Sequence, residues 1–233
     1  MITKTQDKLS ALSPKLQAIV PIAAFTAKGE MQNLRAALES GLEADLSVRE
    51  IKGVLVQLYS YAGFPRCLNA IAEFMDVLKD RQQRGLASES DLAAGPLPSD
   101  KSRLDLDAAI ESRLAEGETT AGLLFTFVPD IDLFLKDHLA DDIFKRGGLC
   151  AKGRGIAVIS ALAALDGVLP QLQAHFDIGI NVALSEAEAK ALVSALRAKV
   201  GKKEADQARV VLSIVLGVRK SRLIGGGFER VGV

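Results

Sequence analysis

The sequence has few of the residues that cross-link a chain or bind metal ions. Of its 233 residues, two are cysteines, two are histidines and none is tryptophan. Cys67 and Cys150 lie far apart and lack metal-ligand spacing, which argues against a disulfide framework and a zinc cluster. Hydrophobic residues make up 48% of the chain, which is enough to build a core. We therefore expect a fold that needs no metal and no cofactor.

Neither an excess of charge nor a long apolar run is present. Lys plus Arg and Asp plus Glu number 29 each, so the chain lacks the positive field of a nucleic-acid-binding protein. The longest apolar stretch, residues 155–165, ends at Asp166, far short of the roughly 20 residues that cross a bilayer. The polar start, MITKTQDKLS, lacks the build of a signal peptide. We expect a cytoplasmic protein that binds neither nucleic acid nor a membrane.

One segment of the chain occurs twice in similar form. Residues 36–55 read AALESGLEADLSVREIKGVL and residues 174–193 read AHFDIGINVALSEAEAKALV. Aligning Ser47 with Ser185 gives an offset of 185 − 47 = 138, which also pairs Ala37 with His175. In each copy a serine is followed three residues later by a glutamate, the pattern of a capping box. The same offset pairs Gly29 with Gly167, Gly41 with Gly179, and Gly63 with Gly201. Together these matches predict a tandem duplication.

Apolar residues recur at helical spacing along the chain. After Ser47 they follow the i, i+3, i+7 pattern of an amphipathic helix. The sequence therefore predicts an all-α protein. Predicted helices cover 13–27, 30–41, 48–61, 65–83, 105–116, 130–144, 152–165, 169–181, 186–199 and 203–218. We divide the chain into a first repeat at 1–84, a linker rich in Ser, Gly, Pro and charge at 85–104, and a second repeat at 105–233.

Short motifs in the two halves resemble those of one enzyme family. Residues 142–149 read DIFKRGGL and are followed by Arg154, His175 and then ALSEAE at 183–188, while residues 61–65 read YAGFP. This order resembles the carboxymuconolactone decarboxylase family, which is related to the AhpD-like alkylhydroperoxidases. The resemblance implies an AhpD-like helical bundle made of two tandem repeats of the carboxymuconolactone decarboxylase type. It also implies self-association, with a homotrimer favoured.

The chain departs from the hydroperoxidase pattern at the thiols. The places of the Cys-x-x-Cys pair fall on Val168 and Gln171, and the place of the upstream glutamate falls near Gly155. A two-thiol cycle cannot run there, because a sulfenic acid must be captured by a second thiol. The first half keeps the tyrosine turn but has Ala37 at the histidine position. The second half keeps His175 but lacks the turn.

These complementary losses predict one composite site, within a chain or across a subunit contact. It combines His175 as a proton donor with the first-half turn that carries Tyr61. His175 lies at the edge of an apolar helix face, where an imidazole can be half desolvated and titrate near neutral pH. Gln171, four residues earlier, shares that face. The alternative for His175 is a hydrogen-bonded core residue.

Cys67 is a second candidate for chemistry. If Pro65 takes the first helical position, Cys67 lies at the third, where the helix dipole and the cation of Arg66 lower a thiol pKa. The alternative is that Cys67 is a small buried hydrophobic residue. Cys150 is interpreted as structural.

Arg146 and Arg154 match the two arginines of the family pattern. The resemblance implies that they hold substrate carboxylates while a proton reaches carbon as carbon dioxide leaves. For Arg146, a salt bridge to Asp141 or Asp142, or a helix C-cap, is the open alternative. The expected catalytic residues are His175, Cys67 and Tyr61, and the expected substrate-binding residues are Arg146, Arg154, Gln171 and Arg66.

Three functions are open at this point. The first is a carboxymuconolactone decarboxylase-like enzyme that acts on a carboxylated lactone or a related acid by proton transfer. A second is a thiol-dependent peroxidase or peroxiredoxin-type antioxidant that uses Cys67. The third is a non-catalytic helical assembly module.

Overall fold

All secondary structure in the described part of the chain is α-helical. The computed structural model describes residues 11–86 and 149–225 and the single positions 127 and 130, and contains no strand within them. The first segment contains α1 Pro14–Lys28, α2 Met31–Glu43, α3 Val48–Gln57, α4 Tyr59–Ala62 and α5 Phe64–Gln83. The second segment contains α6 Ala151–Ala164, α7 Leu169–Val182, α8 Glu186–Lys199 and α9 Lys202–Gly225. The all-α prediction is confirmed.

Several predictions from the sequence fall on residues that the structure does not describe. These are the helix at 105–116, the helix at 130–144 apart from position 130, most of the linker at 85–104, and Arg146. Within residues 11–86 and 149–225, no helix is both long and apolar enough to cross a bilayer.

Two of the helices begin at the predicted capping boxes. The Glu50 amide donates to Ser47 Oγ at 3.2 Å, and the Glu50 carboxylate accepts from the Ser47 amide at 2.8 Å. At the start of α8, Ser185 and Glu188 form the same two bonds at the same distances. Each pair satisfies two amides that the helix leaves without an internal acceptor. Both predicted capping boxes are confirmed.

The predicted helix at 48–61 is wrong in one respect, because the structure divides it at Leu58 into α3 and α4. The Tyr61 amide donates to Leu58 O at 3.1 Å, an i→i−3 bond that tightens the chain at this point. Gly63, with φ of 81°, then ends α4 in a region that favours glycine. The short α4 holds Tyr61 one turn beyond Gln57.

Corresponding helices of the two segments start at one constant spacing. The starts of α2 and α7, of α3 and α8, and of α5 and α9 are each 138 positions apart. Gly29 and Gly167, which precede α2 and α7, have φ of 75° and 82°. The amide of Leu46 donates to Gly41 O, and the amide of Leu184 donates to Gly179 O in the same way.

Helices α1 and α6 form the centre of the main hydrophobic core. They pack against each other more extensively than any other helix pair in the described ranges. Ile19 and Ile22 of α1 and Ile156 and Ile159 of α6 are almost wholly inaccessible to solvent. Helices α3 and α4 also contact α6, whereas α8 contacts α1. Each central helix therefore packs against helices from the other segment, and the cavity described next lies at one of these contacts.

Candidate functional site

A partly enclosed cavity lies where α3 and α4 meet α6 and α7. Its lining includes Gln57, Tyr61, Arg154, Val158, His175 and Ile178. The cavity has a volume of about 330 Å³ when the space at its open side is included. The centre of a water molecule can occupy only about 20 Å³ of this volume. The enclosed part therefore has room for about one water molecule.

His175 and Tyr61 meet inside this cavity although they are far apart in sequence. Their rings contact edge to face, with centroids 5.3 Å apart and planes at 79°. Leu172 and Phe176 on α7 are fully buried and fix the rotation of the helix, so that the half-buried His175 between them points along the edge of the core. The structure thus brings the two predicted catalytic rings together within one chain.

Burial sets the protonation of both rings. It lowers the pKa of His175 from its ordinary value of 6.5 to about 4, and it raises the pKa of Tyr61 above its ordinary value. The prediction that His175 titrates near neutral pH is therefore wrong, because the charged imidazole loses hydration among apolar neighbours. At pH 7 the cavity contains a neutral imidazole and a neutral phenol. A neutral imidazole can accept a proton or donate a hydrogen bond.

Arg154 brings a positive charge to the cavity. Arg154 is only 2% exposed, and its Nη1 donates a hydrogen bond to Gln57 Oε1 at 3.4 Å. Gln57, which is fully buried, returns a bond from Nε2 to the Arg154 backbone oxygen at 3.3 Å. This pair links α3 to α6 and orients the guanidinium. A buried guanidinium next to a neutral imidazole suits a small anion.

Gln57 was missed by the sequence interpretation. It lies three residues after the buried Val54, on a helix whose other buried side chains are apolar. A polar side chain at a core position needs a hydrogen-bond partner. That position was the available signal, but the sequence alone does not identify Arg154 as the partner.

Gln171 and Arg66, predicted to bind substrate, do not line this cavity. Gln171 is exposed in the first turn of α7. It lies on the same side of the helix as His175, but about one turn nearer the start of the helix. Arg66 is exposed, and its Nη1 donates to Ala27 O at 2.7 Å. It borders a separate charged depression that includes Lys28 and Glu204. Arg146 lies outside the described residues.

Cys67 is buried away from the cavity, and burial raises the pKa of its thiol. Its Sγ donates to Leu55 O at 3.1 Å. Pro65 takes the second helical position, so Cys67 is the fourth residue of α5 and its amide already donates to Gly63 O. The predicted lowering of the thiol pKa is therefore wrong, because burial removes the hydration that a thiolate needs. Cys150 is exposed and caps α6 by accepting from the Gly153 amide at 3.4 Å.

Where the chain is described, no cluster of three or more His, Cys, Asp or Glu side chains could hold a metal ion. No family model matches the chain, and comparison with curated proteins gives no match either.

Proposed function

We propose that the cavity is the site of a carboxymuconolactone decarboxylase-like enzyme, which acts on a carboxylated lactone or a related acid by proton transfer. The observation that carries this proposal is the presence of His175 and Arg154 in one cavity that Tyr61 and Gln57 complete from the other segment. A proton-transfer group, a buried cation and an otherwise apolar wall are the components that a small anionic substrate needs.

In the proposed reaction, Arg154 holds one carboxylate of the substrate. The negative charge favours the imidazolium form, so substrate binding raises the pKa of His175 from about 4. The bond from carbon to a second carboxylate then breaks, and its electron pair stays on carbon as carbon dioxide leaves. His175 donates its proton to that carbon and is reprotonated from water. Gln57 keeps the guanidinium in place throughout.

The scaffold of this proposal is a pair of tandem repeats in an AhpD-like bundle. Support comes from three helix starts at the 138-residue spacing, from the two capping boxes and from Gly29 and Gly167 before matched helices. The half that contains Ala37 and the half that contains His175 would then have diverged from one unit. Self-association, with a trimer favoured, remains part of this proposal.

One observation favours a second candidate, a non-catalytic helical assembly module. The enclosed space holds only about one water molecule, so a lactone fits only if lining side chains move. By contrast, the Cys67 peroxidase gains no support from the buried, hydrogen-bonded thiol.

The enzyme is tested by incubating the purified chain with carboxylated unsaturated γ-lactones and following their ultraviolet absorbance and the release of carbon dioxide. We expect turnover that falls at least about 100-fold in His175→Ala, since positioned proton transfer contributes about that much. Arg154→Met should raise KM more than it lowers kcat. Gln173→Ala, an exposed position on the same helix, is the matched control and should keep full activity.

Circular dichroism shows whether each variant is folded. If the folded wild-type protein turns over none of these lactones, the decarboxylase proposal is wrong and the assembly module is favoured. If turnover survives His175→Ala, the cavity is not the site.

A further inference from the structure

A second, larger and more open groove is lined by residues of α1 and α2 and by Lys199 at the end of α8. Ala18, Pro21 and Phe25 of α1 and Ala36 and Ala37 of α2 form most of its lining. The groove encloses about 730 Å³ with its open side included, and about 350 Å³ of it can hold the centre of a water molecule. This is enough for a small organic molecule.

The groove corresponds to the His175 cavity at the 138-residue spacing. Ala37 stands at the position that corresponds to His175, and Lys199 stands at the position that corresponds to Tyr61. In the first cavity these two side chains are aromatic rings in contact with each other. The groove has a methyl group at the position that corresponds to the His175 ring and an exposed ammonium group at the position that corresponds to the Tyr61 ring.

The lining of the groove includes one cation, which is exposed, whereas the Arg154 cation of the first cavity is buried. Lys199 is the only charged residue in its described lining, and that lining contains no acidic side chain. In the residues that the structure describes, Lys199 forms neither an ion pair nor a side-chain hydrogen bond and is exposed at the end of α8. Its cation also complements the negative end of the α8 dipole, but that effect does not require a groove. Apart from Lys199, the polar residues of the lining are Ser40 and Asn33, whose Nδ2 donates to Glu30 Oε2 at 2.7 Å. A mostly apolar lining with one available cation suits a ligand with an apolar body and one negative charge.

We propose that this groove binds a compact apolar monocarboxylate, with the carboxylate on Lys199 and the apolar body against Phe25 and Ala37. Ser40 adds a hydroxyl to the same wall, which can donate to the second carboxylate oxygen. The site is separate from the His175 cavity and does not depend on the proposed decarboxylase.

Phenylacetate and its neutral analogue phenylacetamide are suitable probes of the groove. On the full chain with ¹³C-labelled alanine methyl groups, phenylacetate should shift the Ala36 and Ala37 signals in a saturable manner and leave the His175 ring signals in place. Phenylacetamide should bind at least about fivefold more weakly, the factor that a partly exposed ion pair of about 1 kcal/mol provides.

Two variants separate the charge from the shape of the groove. Lys199→Met should weaken phenylacetate binding at least about fivefold and leave phenylacetamide binding unchanged. Ala37→Leu should abolish the binding of both probes by filling the groove. Ser40→Leu fills it from an exposed position if Ala37→Leu does not fold. Lys79→Met, an exposed lysine on α5, is the control for loss of positive charge.

Three results would overturn the proposal. They are the absence of saturable binding of phenylacetate up to about 10 mM, equal affinity of the wild-type protein and the folded Lys199→Met variant, and shifts confined to the His175 cavity. The first two results leave the decarboxylase proposal untouched, because lactone turnover is measured separately, and the third would show that the His175 cavity binds the carboxylate instead.

Discussion

The ring of His175 lies edge to face against the ring of Tyr61, with centroids 5.3 Å apart, although 114 positions separate the two residues (175 − 61 = 114). The contact joins α7 to α4. Burial favours the uncharged form of both groups, so their interaction at neutral pH is that of two neutral rings. Such a pair contributes about 0.5–1.5 kcal/mol beyond its buried area.

A double-mutant cycle measures this contact. Tyr61→Leu and His175→Leu should each lower the free energy of unfolding, and the double variant should lose about 0.5–1.5 kcal/mol less than the sum of the two. The measurement is urea denaturation of the four proteins at pH 7. Tyr59 provides the control, because it stacks on Phe64 with centroids 4.7 Å apart and makes no ring contact with His175. Tyr59→Leu and His175→Leu should therefore be additive, and additivity of the Tyr61 cycle would contradict the contact.

The low pKa of His175 predicts how stability depends on pH. The folded state holds the imidazole neutral down to about pH 4, whereas the unfolded chain takes up a proton near pH 6.5. Stability that is present above pH 6.5 is therefore lost as pH falls from 6.5 to 4, and the loss levels off below pH 4. Its size is about 1 to 3 kcal/mol, since the full shift corresponds to about 3 kcal/mol and part of the residue reaches solvent.

His175→Gln isolates this contribution. The carboxylates titrate alike in both proteins, so they cancel in the comparison. The stability of the wild type relative to His175→Gln should therefore fall by about 1 to 3 kcal/mol between pH 7 and pH 4. A parallel pair of pH profiles would show that the imidazole is not desolvated.

The two cysteines should differ in their reaction with a thiol reagent. In the native protein Cys150 is exposed and should react with Ellman's reagent at once, whereas Cys67 is 4% exposed with a raised thiol pKa and should react only on unfolding. Cys150→Ala, in which Cys67 is the one remaining thiol, should therefore show almost no label until denaturant is added. Rapid labelling of this variant at pH 7 would restore the thiol peroxidase hypothesis.

Local signals in the sequence predicted the all-α class and most of the described helices. Ser47 and Ser185 mark helix starts by themselves, because a capping box is satisfied within four residues. The meeting of Tyr61 with His175 was inferred only because each half lacked what the other kept. Gln57 could not be placed in this way, since its partner Arg154 comes from another helix.

The pKa values were not predictable for a related reason. Helix position and a neighbouring Arg66 suggested a reactive Cys67, yet the desolvation that decides the thiol pKa depends on packing from distant segments. The same holds for His175, where the helical pattern indicated an edge position and the helices across the cavity supply the burial.

Two corresponding glycines should respond unequally to a methyl group. A Cβ at Gly41 would lie 2.8 Å from Ile22 Cδ1, whereas a Cβ at Gly179 would lie 3.3 Å from Ile159 Cδ1 and from Leu184 Cδ1. Gly41→Ala must displace a buried isoleucine and should cost about 1–3 kcal/mol. At Gly179 a shift of a few tenths of an ångström suffices, so a smaller loss is expected, offset by up to about 1 kcal/mol from the better helix propensity of alanine.

Gly217 is the matched control for both substitutions, because it is exposed on α9 and a Cβ there meets no atom within 4 Å. Gly217→Ala should raise the unfolding free energy by up to about 1 kcal/mol through helix propensity alone. Urea denaturation of the three variants then ranks them as Gly217→Ala, Gly179→Ala and Gly41→Ala, from most to least stable. A Gly41→Ala protein as stable as Gly179→Ala would mean that α1 and α2 do not approach as closely at Gly41 as α6 and α7 do at Gly179.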